Sequence, residues 1–179
     1  MNLPNKLTLI RIALIPLFIG CFYISLPSWY IFATAIFLLA YFTDMLDGYI
    51  ARTFDMVTDF GKLMDPIADK LLTASALIML TARGMLGPIP TIIIVAREFI
   101  ISGFRLVSVQ SGVVIPASWL GKAKTTSQVI ALTLSLIQAP LYGWVGFHLD
   151  VWVLWISVLF TVVSGADYII RHKDLISYK

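Results

Sequence analysis

Six apolar stretches, each long enough to cross a bilayer as a helix, constrain this chain more than any other feature. A spanning helix needs about 20 apolar residues, and the stretches fall near residues 5–24, 29–52, 61–83, 88–110, 120–142 and 150–171. Composition agrees: of 179 residues, 59% are hydrophobic and 13% charged, roughly half the charged share of a soluble domain. The expected fold is all-α: a polytopic membrane protein, a six-transmembrane-helix bundle with a short N-terminal interfacial segment. Residues 1–179 are expected to form a single membrane domain, with no room for a separate soluble one.

The positions of the charges describe topology. Ser25–Ser28, Gly84–Gly87 and Gly143–Leu149 break the stretches on one side with turn-forming residues, and only Arg83 brings a cation there. The other side collects Lys6, Arg11, Arg52, Lys62, Arg105, Lys122, Lys124, Arg171, Lys173 and Lys179. By the positive-inside rule these ends and both termini face the cytoplasm. The net charge of +3 therefore reflects orientation in a cell membrane and does not call for a nucleic-acid partner. Lys6 and Arg11 before an apolar run imitate a signal peptide, but no small-x-small cleavage site follows, so the run is kept as a membrane helix. The single cysteine, Cys21, lies in that helix and reads as a buried structural thiol. Trp29, Tyr30, Trp144 and Trp152 sit where outer interfacial aromatics belong, and Trp119 at the inner interface.

Four aspartates break the apolar pattern. A charge inside a membrane helix costs about 2.5–3.5 kcal/mol even on the lenient insertion scale, so Asp44, Asp47, Asp65 and Asp69 together need compensation of about 10 kcal/mol. Asp44 and Asp47 are three apart and Asp65 and Asp69 four apart, so each pair shares one helical face. A short segment near Thr53–Phe60 joins the two helices, which are expected to be antiparallel neighbours with the four carboxylates across one seam. Oxygen ligands without histidine or cysteine suit Mg²⁺ or Mn²⁺, and two such ions could share them. Gly48 and Ala51 continue the acidic face as a shallow groove, Gly61 clears space on the facing helix, and Arg52 can bond a phosphate. Asp55 and Asp59 read as ordinary loop charges.

These residues carry a resemblance. Asp44-Met-Leu-Asp47-Gly48-Tyr-Ile-Ala51-Arg52, eight residues, then Gly61-Lys-Leu-Met-Asp65-Pro-Ile-Ala-Asp69 is similar to the full signature of the CDP-alcohol phosphatidyltransferase family. The resemblance implies that the first three aspartates hold metal ions and the CDP moiety, and that Asp69 also serves as general base on the acceptor hydroxyl. It implies a CDP-diacylglycerol donor and a homodimer. The opening Asn2–Arg11, the segment Ala96–Arg105 and the segment Gly121–Thr126 resemble a bacterial branch of the same family, which implies sn-glycerol 3-phosphate as acceptor. Asn5, Thr8 and Arg11 follow one another at three-residue steps along one side of a short interfacial turn, and the resemblance implies that they border the nucleotide.

Arg105, Lys122 and Lys124 fall near the same cytoplasmic end as the aspartates, where they can bind a phosphate-bearing acceptor. Arg97 and Glu98 lie midway along their helix; adjacent residues do not face each other, so each is expected to have another partner. Asp167 is expected to join a polar network or to pair near the inner face. His148 and His172 read as surface residues. Two alternatives stay open: an inositol phosphate, serine or phosphatidylglycerol acceptor, and a divalent-cation transporter, since membrane aspartates also mark ion pathways.

Overall fold

The computed structural model describes residues 2–54, 58–110 and 118–171, and every regular element among them is a helix. The chain falls into two compact units, Met1–Arg83 and Gly84–Lys179.

The first unit holds α1 (Leu3–Cys21), α2 (Trp29–Thr53) and α3 (Asp59–Ala82). α1 packs along both α2 and α3, and it carries most of the packing in the unit. Between membrane helices apolar burial drives little, so close fit must hold them. Small side chains supply it here: Ala33, Ala40, Ala68 and Ala76 are fully buried. Phe18 and Phe22 fill the wider gap, their rings edge to face at 5.2 Å. α1 begins at Leu3 because Asn2 is extended and Pro4 sits in the first turn, where its missing N–H costs nothing. The expected interfacial segment is thus corrected: Asn5, Thr8 and Arg11 belong to one continuous helix.

The second unit holds α4 (Pro88–Gln110), α5 (Trp119–Leu136), α6 (Gln138–Val145) and α7 (Leu149–Arg171). α7 is its centre, packing on α5 most extensively and on α4. Ser157, Thr161, Ser164 and Gly165 recur at helical spacing on its buried face, and small polar residues of this kind let membrane helices approach closely. The expected helix over 120–142 is not continuous. It breaks at Ile137 with a bend of 86°, because Pro140 cannot donate to the Leu136 carbonyl and its ring clashes there. α6 ends at Gly146, whose φ of 76° is a left-handed cap that glycine adopts without strain.

Leu17, Phe42, Ile78, Ile92 and Leu159 point outward, each more than half exposed. An apolar surface of this kind is at home in lipid rather than water, and the protein is a membrane protein. By length and apolarity α1, α2 and α7 can cross a bilayer, and α5 with α6 would make a fourth, broken span. α3 and α4 have 24 and 23 residues, about 35 Å at 1.5 Å per residue. They are long enough but not apolar enough, since Asp65, Asp69 and Lys70 lie on α3 and Arg97, Glu98 and Arg105 on α4. The expected six crossings thus reduce to three or four on this criterion.

Candidate active site

In the first unit the acidic residues meet a polar stripe on α1. Asn5, Thr8 and Arg11 follow one another at three-residue steps, and all three are buried. Arg11, with no exposed surface, reaches between the two acidic residues of α2. Its Nη1 lies 2.7 Å from Asp44 Oδ1, and its Nη2 donates to Asp47 Oδ2. One turn earlier, the Thr8 hydroxyl donates to Asp65 Oδ1 on α3 at 2.6 Å. Thr58 caps α3 by accepting from the Gly61 amide at 3.1 Å and donates its own hydroxyl proton to Asn5 Oδ1 at 2.7 Å. α1 thereby touches the carboxylates of both other helices.

Asp44 lies within electrostatic reach of Asp47, Asp65 and Asp69. Tyr41, one turn before it, is similarly close to Asp44 and Asp69. The acidic residues of α2 and α3 therefore lie near enough to act on one another. Gly61 stands in this convergence: a Cβ there would meet Thr58 Oγ1 at 3.3 Å, Asn5 Oδ1 at 3.4 Å and Asp65 Oδ2 at 3.6 Å. Gly48 lies one turn after Asp44 on α2. Ala51 and Arg52 lie in the last turn of α2, but their side chains fall outside the described residues.

The donor set suits a hard divalent ion. Four carboxylates carry four negative charges, Arg11 offsets one of them, and oxygen-only ligands match Mg²⁺ or Mn²⁺. Among the described residues no three acidic, histidine or cysteine side chains are gathered tightly enough to hold one ion. Instead Arg11 holds the α2 pair and Thr8 takes one oxygen of Asp65.

Comparison with known sequences decides the family. The CDP-alcohol phosphatidyltransferase profile matches residues 1–163. The chain belongs to the CDP-alcohol phosphatidyltransferase family. Over 97% of its length and 96% of the relative's, it is 41% identical to the CDP-diacylglycerol–glycerol-3-phosphate 3-phosphatidyltransferase of Bacillus subtilis strain 168. It is 42% identical to the protein of that name in Rickettsia bellii over 93% of each chain. For the namesake in Pseudomonas fluorescens the identity is 34%, over 92% of this chain and 83% of the relative. Membership in a family of transferases sets aside the transporter reading.

The phosphatidyltransferase match also covers most of the second unit, whose charges form a separate cluster. Arg97 donates to Ser164 Oγ at 2.9 Å, and its Nη1 lies 3.3 Å from Glu98 Oε1. Glu98 also accepts from Lys124 Nζ. The expected further partners exist, but Arg97 and Glu98 touch each other as well. Lys124, expected to meet acceptor phosphate, is buried and paired. Lys122 is exposed, and the Arg105 guanidinium sits 5.9 Å from the Tyr168 ring centroid. Asp167 pairs with Arg171 at 2.7 Å. His148 is a surface residue beside Tyr142 and Asp150, and His172 lies outside the described residues.

Asn5, Thr8 and Arg11 were expected together beside the nucleotide; in the structure Asn5 accepts from Thr58, Thr8 donates to Asp65, and Arg11 engages Asp44 and Asp47. What the sequence did not give is Arg11's pairing with the two aspartates of α2.

Proposed function

We propose that this enzyme transfers the phosphatidyl group of CDP-diacylglycerol to sn-glycerol 3-phosphate, giving phosphatidylglycerophosphate and CMP. The observation that carries the reading is the coincidence of four converging carboxylates on α2 and α3 with near-full-length similarity to relatives named for this reaction. Asp44, Asp47, Asp65 and Asp69 would hold Mg²⁺ or Mn²⁺, with two ions as the preferred number. Bound divalent ions supply neutralisation of the diphosphate and of the charge that develops on its oxygens. Asp69 accepts the proton of the glycerol-phosphate hydroxyl, whose oxygen attacks the phosphorus bearing the diacylglycerol. The bond from that phosphorus to the bridging oxygen breaks, and CMP leaves with the electron pair. Gly48, Gly61 and Ala51 leave room for the nucleotide, and Arg52 bonds its phosphates. Lys122 and Arg105 are the cations offered to the acceptor phosphate, with Lys124 held beside Glu98.

The whole chain acts as one domain, since the family match runs through both units. We place six crossings in the cell membrane, with both termini and the acidic residues at the cytoplasmic side. α3 and α4 cross because their polar groups find partners within the protein, which offsets their lower apolarity. The enzyme works as a homodimer. The test is CMP release by purified protein in detergent with CDP-diacylglycerol and Mg²⁺. Glycerol 3-phosphate is compared with serine, inositol phosphate and phosphatidylglycerol. Release with glycerol 3-phosphate alone supports the reading, and release with another alcohol instead moves the protein within the family.

A further inference from the structure

We infer that Arg11, with Thr8 beside it, is a positioning residue that fixes the ligating orientation of the acidic residues; this rests on the metal site proposed above. Arg11 is fully buried and engages one oxygen each of Asp44 and Asp47 through its two terminal nitrogens. A planar guanidinium is the only side chain that can bridge two carboxylates in this fixed fork. Held so, the two carboxylates cannot rotate independently, and the Gly48 amide fixes Asp47 further. Thr8 does the same for Asp65 by fixing Oδ1 at 2.6 Å. One face of α1 thus orients carboxylates on both α2 and α3. Partners of this kind around a metal's ligands set its affinity, and their loss costs about 10–100-fold. Positive charge beside the site opposes cation binding, so the fork and the charge act in opposite directions. Arg11→Lys separates them, because it keeps the charge and loses the fork.

The experiment titrates Mn²⁺ into the full-length protein in detergent, without lipid substrate, by calorimetry or by the Mn²⁺ spin-resonance signal. Wild-type protein, Asp65→Asn, Arg11→Lys and Thr8→Val are compared, with thermal unfolding as the check on folding. Arg11→Lys should bind Mn²⁺ about 10–100-fold more weakly, and Thr8→Val about tenfold more weakly. In turnover, Arg11→Lys should need more metal for half-maximal rate yet regain most of its kcat at saturating metal, which a merely damaged fold would not do. Unchanged Mn²⁺ affinity in folded Arg11→Lys overturns the inference while leaving the metal site standing. Wild-type protein that binds no Mn²⁺, or Asp65→Asn that binds it equally well, overturns the metal site itself. If Arg11→Lys does not fold, Thr8→Val decides, since an unchanged affinity there removes the role from the α1 stripe.

Discussion

The two units carry buried charge clusters of opposite balance. In the first, one cation, Arg11, serves Asp44 and Asp47 while Asp65 and Asp69 stand nearby. In the second, one carboxylate, Glu98, serves Arg97 and Lys124. Counted over these described side chains alone, and with every group ionised, the first set carries three more negative charges than positive, and the second one more positive than negative. A buried ion pair that only held helices together would close its own balance, because each uncompensated charge in a low-dielectric interior is costly. Among the described side chains named here the two balances differ in sign. Each sign suits its own ligand: a divalent cation for the acidic set of the first unit, and a phosphate for the basic set of the second.

Asp69→Asn tests the acidic side where the effect is largest. Loss of a general base lowers kcat by about 10²–10⁴-fold, and CMP release under saturating substrates and metal measures it. A kcat within a few-fold of wild type would remove Asp69 from the proton transfer and return it to ligand duty alone. Glu98→Gln breaks the other cluster. It leaves Lys124 and Arg97 without their shared carboxylate, and breaking a buried pair costs about 3 kcal/mol at the lower end of the usual range. The lower end applies because the Glu98 side chain is 18% exposed. Thermal unfolding in detergent reads this, and adding Lys124→Met should restore part of the loss. No recovery in the double variant would mean that Glu98 answers mainly to Arg97. Lys122→Gln, at an exposed cation, should leave stability unchanged and raise the KM for glycerol 3-phosphate about tenfold, the worth of one charged hydrogen bond. An unchanged KM would leave Arg105 as the cation for the acceptor.

Much of this contrast is legible in the sequence, and the parts that are not have physical reasons. α4 runs over the expected 88–110 and α2 and α7 differ from expectation by one residue, because each begins at a polar or proline-marked break in an apolar run. That each aspartate pair shares one helical face follows from its three- or four-residue spacing; that the two pairs lie near one another needs the packing of α1 against both helices. The break at Ile137 was present in the sequence too, since Pro140 forbids the Leu136 hydrogen bond; the apolar run on both sides concealed it. Arg11 is different in kind. A basic residue in the first turns of a membrane helix satisfies the positive-inside pattern wherever its side chain points, and only the packing of α1 against α2 turns it inward. The pairing of Lys124 with Glu98 is illegible for the same reason, because it joins side chains of α4 and α5 and leaves no mark on local sequence.

The smallest effect separates packing from recognition in the second cluster. Gly165 of α7 faces Arg97, and a Cβ there would lie 3.2 Å from Arg97 Cγ and 3.5 Å from Nε. Cγ is in the stem of the side chain rather than at its far end, so the arginine must shift by a few tenths of an ångström. Its head is held by Ser164 Oγ at 2.9 Å, and both cannot stay where they are. Gly165→Ala should therefore cost about 1 kcal/mol by overpacking, or about 2–4 °C in Tm for a chain of this size. If Arg97 only ties α4 to α7, the loss ends there and the KM for glycerol 3-phosphate stays within twofold of wild type. A larger rise in that KM at unchanged Tm would mean that the displaced guanidinium also reads the acceptor, and that Arg97 joins Lys122 and Arg105 among the cations offered to its phosphate.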